Sequence, residues 1–118
     1  MAVKDTVGSY GEQVAVNHLQ RNGFVVLARN WRCELGEIDI VAKDGDCLVV
    51  VEVKTRRSDR FGSPAEAVTP AKQARLRRLT ARWIADAGVH PPRVRIDVLA
   101  IRPQRSGAAH VDHLRAVA

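Results

Sequence analysis

Asp39, Glu52 and Lys54 are charged side chains in a stretch otherwise built for the interior of a β-sheet. Residues 36–56 form two β-type runs on either side of Asp44-Gly45. Asp-Gly is a strong hairpin signal, because both turn positions tolerate positive φ. The second run, residues 48–53, is apolar on both faces except for Glu52, as in a central strand covered on both sides. Charges there are expensive to bury unless they are paired or bind something. With Asp44-Gly45 as the turn, Lys43 faces Asp46, Val41 faces Leu48, Asp39 faces Val50 and Glu37 faces Glu52. Alternation then places Asp39, Glu52 and Lys54 on one face with Glu37 beside them, and Glu52 is a diagonal neighbour of Asp39. A loop one residue longer would turn Asp39 to the other face. Two adjacent carboxylates repel, and a divalent cation resolves the repulsion. Mg²⁺ takes few protein oxygens and fills its shell with water and phosphate. Lys54 would then stand beside a metal-bound water and a phosphate, a constellation suited to phosphodiester hydrolysis.

Asp39 followed by Glu52-Val53-Lys54 resembles the PD-(D/E)xK nuclease superfamily, with Ile38 in place of the proline. Five blocks in order narrow the likeness: Gly8-Ser9-Tyr10-Gly11-Glu12, Gly36-Glu37-Ile38-Asp39-Ile40-Val41-Ala42, Val51-Glu52-Val53-Lys54-Thr55-Arg56, Phe61-Gly62-Ser63-Pro64-Ala65-Glu66-Ala67-Val68 and Arg95-Ile96-Asp97-Val98. They resemble the YraN family, an uncharacterised bacterial family related to Holliday-junction resolvases, over about residues 5–102. The resemblance implies an α/β, restriction-endonuclease-like α-β-β-β-α-β core, a mixed central sheet flanked by helices. It implies a metal-dependent endonuclease acting on DNA, branched DNA by analogy, with Mg²⁺ or Mn²⁺ as cofactor and a homodimer as a compatible assembly. Asp39 and Glu52 would hold the metal, the Val53 carbonyl would add a ligand, and Glu12 would complete or orient the site. Lys54 would position the attacking water. Arg32, Arg56, Lys72, Gln73 and Arg75 are the candidates for gripping a phosphate backbone. Two alternatives stand beside this reading: a non-catalytic DNA-binding module of the same fold, and a protein-interaction or assembly factor with a buried ion-pair network.

A chain of 118 residues is expected to form one domain, with residues 103–118 as a turn and an edge strand. It has enough apolar content, 46%, to build a core without disulfides. No apolar run spans a bilayer, and the first residues lack the apolar core of a signal peptide, so a cytoplasmic location is expected. Cys33 and Cys47 lack metal-site spacing and read as reduced structural thiols, with strand adjacency open. The net charge of +6 favours a polyanionic partner. Most of the 19 basic residues are arginine and alanine is abundant, so a GC-rich genome would also give that bias.

The flanking elements must position this hairpin. Residues 7–22 read as a helix closed by Asn22-Gly23, with Gly8, Gly11, Glu12, Ala15 and Leu19 on one stripe. Ser9 and Glu12 also fit a capping box, in which Glu12 only reaches back to a backbone N–H. Residues 24–31 read as the first strand, with Trp31 in the core and its rim at the surface. Residues 57–63 read as a polar loop beside the Glu52 end of its strand. Thr69-Pro70 opens a second helix that runs to about Ala87 and stops at Gly88. Its apolar stripe is Leu76, Leu79, Trp83 and Ala87, and Lys72 and Gln73 carry that stripe toward the sheet. Residues 93–100 alternate as a strand, and strand–helix–strand predicts a right-handed crossover, parallel to the Glu52 strand. Arg95 and Asp97 share a face as a structural ion pair. His110 and His113 fall on opposite faces of the last strand and make a poor metal pair.

Overall fold

A computed structural model describes residues 6–56 and 68–117. The polar segment 57–63 and most of the Phe61-to-Val68 block lie outside the described residues. In chain order the elements are α1 (Thr6–Arg21), β1 (Val25–Cys33), β2 (Gly36–Asp44), β3 (Cys47–Thr55), α2 (Pro70–Ala87), β4 (Arg93–Arg102) and β5 (His110–Leu114). The strands form one mixed sheet in the order β1-β2-β3-β4-β5. The first three make an antiparallel meander, β4 runs parallel to β3 and β5 antiparallel to β4. This is the α/β arrangement expected, consistent with a restriction-endonuclease-like core. Among the described residues no helix is long and apolar enough to cross a membrane.

β3 is central and covered on both sides, as its near-continuous apolar run requires: every residue from Cys47 to Glu52 is buried. On one face α1 contributes Ala15, Val16 and Leu19 to a core with Ile40, Val49, Val51, Leu99 and Ile101. On the other, α2 lays Leu76, Leu79 and Trp83 on Ile38, Val41, Val50 and Ile96, and Trp31 packs at the margin of that core. Thr69 caps α2 by accepting the Lys72 N–H at 3.2 Å, and Gly88 ends it in the left-handed region at φ 68°. The stripe ends differently from expectation. Ala87 is exposed, whereas Thr80 is buried and silences its hydroxyl on the Leu76 carbonyl at 2.7 Å.

The hairpin register also differs. Asp44 pairs with Cys47, so the turn residues are Gly45 and Asp46, with Gly45 at φ 61°. Val41 therefore faces Val50 rather than Leu48. Only glycine enters the left-handed region freely, which is why the turn centres on Gly45 and not Asp44. The displacement is even, so the paired residues 40–44 and 47–51 keep their predicted faces. The cysteines are not neighbours: both are free, Cys33 lies at the α2-side core and Cys47 at the α1-side core.

α1 crosses the far end of β3 at Gly11. A Cβ placed there would collide with the Thr55 hydroxyl and crowd its Cβ. The small residue lets the helix lie close enough to bring Glu12 down to the sheet. Gly11→Ala is expected to lower stability by about 1–3 kcal/mol, the usual cost of overpacking. Thr55→Ala should restore part of that loss in the double variant, read by urea denaturation. Additive losses would mean that the two residues do not meet.

Candidate functional site

The charged side chains gather where β3 leaves the core. Glu52 is the last residue of the buried run and Lys54 lies two positions on, on the same face. The first turn of α2 brings Lys72 to that face. Glu52 Oε1 accepts from Lys72 Nζ at 2.6 Å and from Lys54 Nζ at 3.3 Å. The last β2–β3 rung is Ile40–Val51, and past it Asp39 Oδ2 accepts the Val53 N–H at 2.9 Å. Asp39 is thus held near Glu52 and Val53, further along β3 than its predicted partner Val50. Ile38 and Val41 both pack on the α2-side core, so strict alternation lapses in β2 around Asp39.

The electrostatics follow from this crowding. Burial pushes the Asp39 carboxyl up to about 6; Glu52 adds to the rise, the Val53 N–H opposes it, and Glu37 and Glu12 raise it further. Burial and the neighbouring Lys72 pull Lys54 below the usual lysine range, against the attraction of Glu52. Burial pulls most strongly on Lys72, but the hydrogen bonds to Glu52 and Lys54 and the charge of Glu52 together outweigh it and hold Lys72 above the ordinary value.

Glu12 is buried on α1, and its Oε1 accepts from Asn30 Nδ2 at 2.7 Å and Arg29 Nη2 at 3.2 Å. Ser9 lies inside a helix that begins by Thr6, so the capping-box reading falls. Glu12 reaches Asp39 through its field. As a third metal ligand it finds no support, since no three His, Cys, Asp or Glu side chains among the described residues are placed to hold an ion. The Glu12 anchors Arg29 and Asn30 were not singled out as site residues from sequence. The available signal was Asn30 itself, a poor strand former that sits at φ 52° within β1.

The proposed phosphate contacts divide. Lys72 is at the site. Arg75 is exposed and close enough to act on Lys72 electrostatically. Arg56 continues from β3, and its N–H donates to the Ile101 carbonyl at 3.0 Å. Gln73 instead donates to the Val68 carbonyl at 3.4 Å, within its own helix cap. Arg32 is exposed and pairs with Glu37 at 3.4 Å. On the opposite face of the sheet, the fully buried Asp97 binds Arg95, His113 and the Ala116 N–H, a structural clasp as expected for the Arg95 pair. His110 pairs with Asp112 instead, so the two histidines share no ligand.

A mixed sheet with one helix on each face, and carboxylates and lysines converging at the end of its central strand, defines a restriction-endonuclease-like core carrying a charged site. Residues 11–101 match the model of the "Uncharacterised protein family UPF0102". The chain belongs to this family, the YraN family whose motifs it carries. It is 61% identical to a UPF0102 protein of Kineococcus radiotolerans, over 97% of this chain and 94% of the relative. It is 57% identical to one of Beutenbergia cavernae over 99% of both, and 55% identical to one of Nocardioides sp. over 98% of this chain and 94% of the relative.

A raised Asp39 pKa makes a prediction with a definite sign. Below about pH 4 the carboxyl is protonated whether the chain is folded or not, so it imposes no penalty. Between about pH 4 and 6 the unfolded chain ionises first, and the fold loses stability; above about 6 the penalty is complete. From the rise from 3.8 to about 6, the penalty is on the order of 3 kcal/mol. Asp39→Asn keeps an acceptor for the Val53 N–H and removes the charge. Without divalent cations it should raise the melting temperature at pH 8 and leave it nearly unchanged at pH 4. An equal loss at both pH values would mean that Asp39 is held as a structural partner.

Proposed function

We propose that this protein is a metal-dependent nuclease that hydrolyses DNA phosphodiester bonds in the manner of a junction resolvase. The observation that carries the reading is the Asp39 carboxyl, held half-buried on the Val53 N–H in the field of Glu52, Glu37 and Glu12. A fold gains no stability from like charges held together, whereas a cation site requires them. The donor set suits Mg²⁺ or Mn²⁺: two carboxylates, Asp39 and Glu52, with the Val53 carbonyl beside them, leaving the rest of the shell to water and phosphate. When bound, the cation supplies a more acidic water and charge neutralisation at the phosphate. Glu12, held by Arg29 and Asn30, orients Asp39 from behind through its charge. Lys54, half-buried beside Glu52, holds the attacking water in line and donates an Nζ–H hydrogen bond to charge developing on the phosphate. Lys72, Arg75 and Arg56 ring the same end of the sheet as contacts for the DNA backbone, and the net charge of +6 draws a polyanion there.

The second reading is a DNA-binding module of the same fold without hydrolysis. The observation in its favour is that Glu52 already carries two ammonium partners in the protein itself.

The deciding experiment is cleavage of duplex, flap and four-way-junction DNA with Mg²⁺ and with Mn²⁺. Cleavage is expected to stop on chelation and to be abolished in Asp39→Asn, and Lys54→Ala should slow it by roughly 10²-fold or more, the scale of losing one charge-stabilising donor. Mg²⁺ at ten times its dissociation constant should stabilise the wild type by about 1.4 kcal/mol and Asp39→Asn far less. DNA affinity should fall steeply with salt. Binding of DNA without cleavage by the wild type, under every metal tested, favours the second reading.

A further inference from the structure

We infer that Lys72 is a latch that couples DNA binding to metal binding at this site; the inference rests on the nuclease reading above. Glu52 Oε1 is held by Lys72 at 2.6 Å, while Lys54 stands further off at 3.3 Å. The Lys72 ammonium therefore fills the role of a cation at the carboxylate that is to bind one. Lys54 leaves β3 only two residues beyond Glu52 and is tied to that strand. Lys72 comes from the first turn of α2, on a four-carbon stem with its backbone N–H capped by Thr69. Its ammonium can exchange one anion for another while the helix stays in place. A DNA phosphate offers that other anion. With Lys72 on the phosphate, Glu52 is released to take a metal beside Asp39. With no DNA present, Lys72 returns and competes with the ion. Metal and DNA each pay for unlatching if they bind first and not if they bind second, so their affinities rise together by one common factor.

Ca²⁺ serves as the probe ion, so that binding is read without turnover. Its affinity for the free protein is measured by thermal shift. The coupling is the ratio of dissociation constants for a fluorescent duplex without and with saturating Ca²⁺, read by anisotropy at constant ionic strength. Lys72→Met, which keeps the stem and removes the charge, should bind Ca²⁺ about tenfold more tightly than wild type when free, within the usual range for coupled sites. The coupling ratio should shrink by the same factor. Arg77→Met removes an exposed positive charge of α2 that the site does not use and should change neither quantity more than about twofold. Tighter Ca²⁺ binding in Lys72→Met with an unchanged coupling ratio would overturn the latch, because simple loss of a positive charge acts equally with and without DNA. Unchanged Ca²⁺ affinity overturns it as well. If no divalent ion binds wild type or Lys72→Met, with or without DNA, the metal site itself falls, a result distinct from failure of the latch alone.

Discussion

The structure turns on the repulsion among carboxylates at the end of its central strand. Glu52 sits where β3 passes from a fully buried run to a half-exposed one, and Asp39 is drawn in beside it by the Val53 N–H. Each of the other site features offsets the resulting charge. Lys54 and Lys72 neutralise Glu52, Arg29 and Asn30 hold Glu12, and Arg32 pairs with Glu37. Asp39 alone is left with a hydrogen bond too weak to restore its ordinary acidity. The sheet on either side is apolar and close-packed, so the carboxylates cannot separate by relaxation.

The two helices have different tasks at this point. α1 is admitted close to the sheet by Gly11 against Thr55, and that proximity is what puts a glutamate behind Asp39. α2 packs through Leu76, Leu79 and Trp83 and leads with a lysine in its first turn. Acidic groups therefore come from the meander and α1, and the one lysine of the site that does not belong to β3 comes from the crossover. The clasp at Asp97 lies on the α1 face and ties β4 to β5 and the following residues, so the strand beside β3 is fixed independently of the charged site.

Much of this was readable in the residues. The apolar run around residues 48–53 requires a covered central strand, and even periodicity carries Asp39, Glu52 and Lys54 to one face. An even register error leaves the paired residues 40–44 and 47–51 on their faces, whereas Asp39 lies beyond the last rung, where alternation lapses. The error arose because Asp and Gly are both good turn formers, and only the left-handed requirement at Gly45 decides between them. Gln73 and Ala87 illustrate a second limit. Helical periodicity gives the direction of a side chain but not what lies in front of it. Gln73 found a carbonyl one turn back, and Ala87 is left exposed beyond the buried Trp83. The anchoring of Glu12 depends on a left-handed Asn30 in mid-strand, a local departure that strand propensity does not encode.

The parallel pairing of β3 with β4 has a bearing on how the chain reaches this state. The β2–β3 hairpin joins residues close in sequence, down to Asp44 with Cys47, whereas the β3–β4 seam begins with Cys47 beside Arg93. Local pairings close quickly and distant ones slowly, because loop entropy is spent before the contacts repay it. As a hypothesis, the hairpin that carries Asp39, Glu52 and Lys54 assembles early, while its carboxylates are still in water and repel little. Lys72 arrives only as α2 docks and β4 zips alongside, so dehydration and neutralisation of Glu52 would coincide. Substitutions in the β2–β3 turn should then slow refolding more than equally destabilising ones in β4, which should mainly speed unfolding; the reverse order in stopped-flow kinetics would rule this route out.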